Sequence, residues 1–263
     1  MKDYPTFRVF PSNTDPVFSD SIQNKVFISF GGPTEGYHNL VKKIAQETQK
    51  LGFFTHIMGF TDLDLKRDPH FWERHGSFIE KNRRGYGYWL WKPYLIHLVL
   101  NRLNEDDILV YADAGSTVNL AGLERMEEYV NLLKNSEYGV ISYQFNRWPE
   151  QCWNKKILLN YMGAYNESLH SGQCVATIII IKKNAHSTHL INQWYEIASI
   201  HELLDDSKTS DESKKFIEHR HDQSIYSLLV KKYGSIKIHE DIYDRKGKDW
   251  NHIPFQGTQI HLY

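Results

Sequence analysis

The stretch K-V-F-I-S-F-G-G-P, Lys25 to Pro33, and the later run F-T-H-I-M-G-F, Phe54 to Phe60, decide the fold through what lies between them. The β-branched and aromatic residues of Lys25 to Phe30 stop at Gly31, Gly32 and Pro33, which reads as a strand passing into a loop. Leu40, Val41, Ile44, Ala45, Thr48 and Leu51 then recur at helical spacing until Gly52 ends the pattern. Phe54 to Phe60 returns as a second strand. Strand, helix, strand in this order implies two parallel strands joined by a right-handed crossover, and such sheets bind ligands at their carboxyl edge.

The alternation continues outward. Pro93 to Leu103 predicts a helix with Leu95, Leu98, Val99 and Leu103 on one face, and Ile108 to Ala112 a strand. Gly122 to Lys134 is helical through Leu123, Met126, Val130 and Leu133, and Gly139 to Tyr143 is a strand. Val175 to Ile181 is uninterrupted and apolar, as a covered sheet strand should be. Leu190, Trp194, Ile197, His201 and Leu204 share one helical face. The polar run Asp205 to Lys215 reads as a solvated connector or as a loop that closes over a ligand, and Gln223 to Tyr233 is a last helix. Residues 1–23, broken by Pro5, Pro11 and Pro16, read as a surface arm. Residues 24–263 read as one α/β domain with a mixed, mainly parallel sheet flanked by helices.

Composition narrows the function. The 263 residues are 41% hydrophobic and 24% charged with a net charge of -1, which excludes a disordered chain and offers no basic field for duplex nucleic acid. No apolar run approaches the roughly 20 residues a membrane-spanning helix needs, and Met1 to Asp20 lacks the apolar centre of a signal peptide. The expectation is a cytoplasmic protein. Cys174, within an apolar run, reads as an inert buried thiol. Aromatics reach 14% although mean hydropathy is -0.54, so they serve either the core or a stacking surface.

Two segments concentrate chemistry. In R-R-G-Y-G-Y-W-L-W-K-P-Y, Arg83 to Tyr94, Gly85 and Gly87 let backbone approach a ligand. Tyr86, Tyr88, Trp89 and Trp91 offer faces, and Lys92 places a cation where a helix begins, a set that suits a nucleoside diphosphate. The plain alternative is a tight turn whose aromatics pack beneath the sheet. In D-I-L-V-Y-A-D-A-G, Asp107 to Gly115, Asp113 follows a strand and sits where a carboxylate can hold a divalent ion beside two phosphates. The alternative there is a turn-forming Asp. Asp222 opens a predicted helix and reads either as a plain N-cap or as a base that takes the proton of an attacking hydroxyl. Asn166-Glu167-Ser168 spells a glycosylation acceptor, a pattern short enough to arise by chance.

The K-P-x-x-I segment, the helix after it and D-I-L-V-Y-A-D-A-G resemble the donor-binding half of nucleotide-diphospho-sugar glycosyltransferases of the A-type (GT-A) fold. The likeness is to the small enzymes of bacterial polysaccharide and giant-virus glycan synthesis. S-G-Q-C-V-A-T-I-I-I-I at Ser171 to Ile181 and H-R-H-D-Q-S-I at His219 to Ile225 extend the resemblance to most of Lys25 to Leu229. It implies transfer of a sugar from a UDP-type donor to a hydroxyl of a glycan or lipid-linked glycan, the latter drawing the protein to the inner membrane face. Ser29, Phe30 and Gly31 would form the base site. Tyr88, Trp89, Lys92, Asp113, Ala114 and Gly115 would meet phosphates and donor sugar. Gly172 and Gln173 would line the sugar, and Asp222 would face the acceptor. Asp113 would hold Mn²⁺ or Mg²⁺. One departure matters: Asp113-Ala114-Gly115 lacks the second carboxylate of the family's Asp-x-Asp, so His239, His252 or His261 would have to complete the metal shell. The competing readings are a saccharide-binding protein without turnover and, more weakly, a nucleotide-cofactor enzyme such as a methyltransferase. The latter lacks G-x-G-x-x-G after the first strand.

Overall fold

The structure, a computed structural model, describes residues 17–164 and 167–258; His261 and Asn166 lie outside the described residues. Its main sheet has six strands in the order β2-β1-β3-β6-β5-β7. These are β1 (Lys25–Phe30), β2 (His56–Phe60), β3 (Ile108–Ala112), β5 (Val140–Pro149), β6 (Gly172–Lys182) and β7 (Ile236–Ile238). A second ladder pairs β4 (Thr117–Val118) with β8 (Phe255–Gln256). The β1/β2, β1/β3 and β5/β7 pairs are parallel, and β6 runs against both neighbours. The expected single α/β domain with a mixed, mainly parallel sheet is what forms.

Helices cover both faces because the strands alternate. Val26, Ile28 and Phe30 join one buried cluster and Phe27 the other; Leu109 and Tyr111 oppose Ile108, Val110 and Ala112. One face is covered by α2 (Pro69–Lys81), α3 (Trp91–Leu100), α5 (Ala185–Ala198) and α6 (His221–Tyr233), whose Phe71, Leu95, Trp194 and Ile225 are buried there. The other face takes α1 (Glu35–Lys50), through Val41 and Ile44, and α4 (Leu123–Lys134), through Met126 and Val130. Each such side chain contributes about 1.5–3 kcal/mol when fully buried.

Two expectations change and a third gains detail. The helical face read from Leu190 to Leu204 is interrupted: α5 ends at Ala198, and a separate turn spans His201–Leu204. The strand read from Val175 begins at Gly172, because it pairs with a β5 that itself runs on to Pro149. The polar run 205–215 is exposed over most of its length, as a solvated connector is, and is tied down by Lys155 to Asp205, Lys156 to Asp211 and Arg84 to Asp206.

One irregularity positions the site. Between the pairs Ile141↔Ile180 and Tyr143↔Val175, β6 carries extra residues against β5. Such a bulge takes backbone groups out of the ladder. Here the Ala176 N–H turns to the Gln223 side chain at 3.4 Å and the Ala176 carbonyl to the Lys92 ammonium at 3.2 Å.

Candidate functional site

A cleft of about 540 Å³ opens at the carboxyl ends of β1 and β3, where the reversed β6 begins. Its first wall is the β1 loop. Gly31 is required there: a Cβ would stand 2.1 Å from the Tyr37 carbonyl oxygen, so only glycine lets the loop pass under the start of α1. Phe30, ending β1, stacks on Trp91 with centroids 4.0 Å apart.

The second wall is a turn that reverses the hand of the chain. Gly85, Tyr86, Gly87, Tyr88 and Trp89 all have positive φ, between 51° and 82°. For the three non-glycine residues the left-handed conformation costs roughly 1–2 kcal/mol each. Packing offsets it: Tyr86 stacks towards Phe30, Tyr88 lies 4.7 Å from His221 ring to ring, and the Trp91 indole N–H donates to the Gly85 carbonyl at 2.9 Å. Gly87 is obligatory, since a Cβ would lie 2.6 Å from Ile79 Cγ1 at a φ of +82°. The turn presents Arg83, Arg84, Tyr86 and Trp89 to the cleft.

On the floor, the Lys92 ammonium lies 3.1 Å from Asp113 Oδ1 and 3.1 Å from Asp222 Oδ2. The Tyr111 hydroxyl donates to Asp113 Oδ1 at 2.5 Å. Burial works against the Lys92 charge, but the two carboxylates outweigh it and raise its pKa above the ordinary lysine value. Burial also pushes Asp222 up to about 6; Lys92 opposes that shift and the nearby Asp113 charge adds to it. Both plain alternatives for the acids fail on geometry. The N-cap of α6 is Arg220, while the Asp222 carboxylate turns to Lys92. The turn after β3 is closed by the Asp113 backbone carbonyl, which accepts from Ser116 N–H at 2.8 Å, leaving the side chain for Lys92 and Tyr111. Beside Asp222, the buried His221 donates from Nδ1 to the Leu204 carbonyl at 2.8 Å, and burial lowers its pKa to about 4, so it is neutral at pH 7.

Of the residues singled out in the sequence, Phe30, Gly31, Trp89, Lys92, Asp113, Ala114, Gly115, Gln173 and Asp222 line this cleft. Three residues expected at the donor site do not. The Ser29 hydroxyl donates to the Ala112 carbonyl at 2.7 Å and ties β1 to β3. Tyr88 packs on His221 behind the turn. Gly172 is pressed against Phe145, whose carbonyl oxygen a Cβ would meet at 2.1 Å. Lys92, expected to touch phosphate, lies beneath the two carboxylates and is almost wholly buried. The sequence reading missed Arg220, Trp148, Thr177, Tyr243 and Thr258, which also line the cleft. Arg220 and Thr177 lie within the segments His219 to Ile225 and Ser171 to Ile181 without standing out in them, and Trp148, Tyr243 and Thr258 come from distant segments with no local motif.

The described residues test the expected divalent ion. His252 is half exposed, its Nε2 4.0 Å from Asp249 Oδ1, and it is not part of the cleft lining, so it does not join Asp113. No group of three His, Cys, Asp or Glu side chains able to hold a metal occurs among the described residues. Both partners of Asp113 use Oδ1, which leaves Oδ2 as one protein oxygen. That fits an ion carried in on a diphosphate, held through one carboxylate and the phosphates, and does not fit a resident ion. Four cations, Arg83, Arg84, Lys92 and Arg220, and two carboxylates line the cleft; Arg84 pairs with Asp206 and Glu218, Arg220 with Glu218 and Lys92 with the two carboxylates, so Arg83 is the lining cation without an ion pair among the described residues. Cations gathered in a cleft favour an anionic ligand. No helix among the described residues is long and apolar enough to cross a membrane.

No sequence-family profile matches the chain, and no curated protein matches it. Solved structures do. A glycosyltransferase involved in the glycosylation of the major capsid of PBCV-1 is 8% identical, with a TM-score of 0.47 over 91% of this chain and 94% of that one. Mouse xyloside xylosyltransferase 1 in its apo form is 9% identical, with a TM-score of 0.46 over 90% and 98%. A putative glucose-1-phosphate thymidylyltransferase from Bacillus anthracis, in complex with a sucrose, is 10% identical, with a TM-score of 0.38 over 83% and 86%.

Proposed function

We propose that the chain is a glycosyltransferase that binds a nucleoside-diphosphate sugar, with UDP as the carrier, and moves the sugar to a hydroxyl of a glycan or lipid-linked glycan. The observation that carries this reading is the pairing of Asp113 and Asp222 through one buried ammonium, on the floor of a cleft that Arg83 also lines. In the transfer, an acceptor oxygen bonds to the anomeric carbon as the bond from that carbon to the diphosphate oxygen breaks. The electron pair leaves with the diphosphate, and the acceptor proton goes to a base. Asp222 is that base: with a pKa of about 6 it is ionised at neutral pH yet basic enough to accept. Lys92 holds both carboxylates in place, and Arg83 and Arg220 receive the phosphate charge. The Gly31-Gly32 loop, Tyr37 and Phe30 form the base end, where backbone and rings are exposed to the cleft. A divalent ion bound with the diphosphate would neutralise leaving-group charge, and Asp113 Oδ2 is the oxygen that would hold it. The 205–215 segment, joined to the cleft-lining Arg84 through Asp206, would close over the donor and exclude water that competes as acceptor.

The test is calorimetric titration of a nucleoside-diphosphate panel into wild type and Asp113→Ala, with and without Mn²⁺. Binding of one nucleotide, enhanced by Mn²⁺ in wild type but not in the variant, supports the assignment. Absence of binding by every nucleotide in both conditions removes the donor site and favours a saccharide-binding protein without turnover.

A further inference from the structure

The backbone of Asp113 is fixed by the sheet. Its N–H donates to the Thr177 carbonyl at 2.9 Å, which carries the β3/β6 ladder one residue past the Ala112↔Ile178 pair. The side chain is not fixed by that bond. It is 33% exposed, so rotation about its own torsions could turn the carboxylate out to solvent. Two donors prevent this. Side chains two apart on a strand share a face, and Tyr111 therefore reaches along β3 to donate its hydroxyl to Asp113 Oδ1 at 2.5 Å. The Lys92 ammonium meets the same oxygen at 3.1 Å and lies 5.3 Å from the centre of the Tyr111 ring.

The two donors are not equivalent. Lys92 has three N–H groups and three oxygens within 3.2 Å, from Asp113, Asp222 and the Ala176 carbonyl, so its position is a compromise among them. Tyr111 is 1% exposed, is no part of the cleft lining, and gives its one hydroxyl proton to Asp113. A buried hydroxyl needs a partner, but either carboxylate oxygen would satisfy it. Here both donors converge on Oδ1, and Oδ2 of this cleft-lining residue keeps no protein partner among the described residues.

Resting on the transferase reading, we infer that Tyr111 is a positioning residue: by holding Asp113 Oδ1 it aims Oδ2 at the divalent ion carried in on the diphosphate. One carboxylate then serves where Ala114 and Gly115 supply no second one. Tyr111 touches neither the nucleotide nor the ion and acts through Asp113. Partners that orient a metal-binding carboxylate in this way are worth about 10–100-fold in metal affinity.

Titration calorimetry of UDP, with and without Mn²⁺, into wild type and Tyr111→Phe tests this, with Asp113→Ala as the reference for a carboxylate removed outright. Phe keeps the ring and deletes only the hydroxyl. The ratio of the two UDP affinities separates the ion from the nucleotide, which a loss of general support for the cleft would not do. The expected result is a Mn²⁺ enhancement about tenfold smaller in Tyr111→Phe than in wild type, with UDP affinity in the absence of Mn²⁺ equal in the two proteins. That equality also shows that the variant is folded. An enhancement unchanged in Tyr111→Phe overturns the inference, and so does an affinity that falls equally with and without Mn²⁺. UDP binding by wild type that Mn²⁺ does not enhance overturns the role of Tyr111 and leaves the donor site standing. Absence of nucleotide binding by wild type in both conditions removes the transferase reading and the inference with it.

Discussion

Replacing Asp222 by Asn separates the cost of the charged floor from its use. Asp222 is 3% exposed, and the fold moves its pKa from the ordinary 3.8 to about 6. A carboxyl whose pKa is raised by folding is destabilising once ionised. Its favourable contribution is complete below pH 3.8 and is lost as pH rises to about 6. The interval of about two pH units corresponds to about 3 kcal/mol at 1.4 kcal/mol per unit. Asn resembles the protonated carboxyl in size and charge and does not ionise, while Lys92 keeps Asp113 and the Ala176 carbonyl as partners. Asp222→Asn is therefore expected to match wild type near pH 4 and to exceed it at pH 8 by up to about 3 kcal/mol, or about 5 °C in Tm for a chain of this length. Sugar transfer should fall by 10² or more, the scale of losing a general base. Urea unfolding at pH 4 and pH 8, with each protein compared to the other at the same pH, gives the answer. A variant less stable than wild type at pH 8, or a difference that does not change with pH, would refute the account of the Lys92 environment.

Two other substitutions probe the walls. Arg83 lines the cleft and has no ion pair among the described residues, so Arg83→Ala should weaken UDP binding about tenfold, read by titration calorimetry, with the urea midpoint unchanged. Gly87→Ala places a Cβ at +82° and 2.6 Å from Ile79 Cγ1; it should lower stability by about 2–3 kcal/mol in urea unfolding and weaken nucleotide binding with it.

What the sequence could show depended on range. β1, α1 and β2 were legible because each carries its own period and its own stop, as Gly52 does for α1. The helix Pro69–Lys81 was also written locally, with Pro69 after the N-cap Asp68 and Phe71, His75 and Ile79 four residues apart, but it was not read. Asp113 and Lys92 stood out from strand-end and helix-start positions alone. Their relation to Asp222 was not legible, because a contact across 130 residues depends on a bulge in β6 that frees the Ala176 backbone. The same holds for Trp148 and Tyr243, which no short pattern joins. The handedness of residues 85–89 was half visible. Gly85 and Gly87 announced backbone freedom, whereas Tyr86, Tyr88 and Trp89 are residue types for which a positive φ is rare.

That turn also bears on the order in which the molecule assembles. Five left-handed residues cannot form a stable seed by themselves, since three of them resist the conformation and what favours it is supplied by Phe30, Ile79 and His221 from other parts of the chain. The turn is expected to close after those partners are docked, downstream of the rate-limiting barrier. Its substitutions should therefore quicken unfolding and leave the refolding rate nearly untouched, with φ-values close to zero. In hydrogen exchange it should be the first buried segment to open, so the ligand-facing wall of the cleft is the last part of the molecule to be made and the first to be lost.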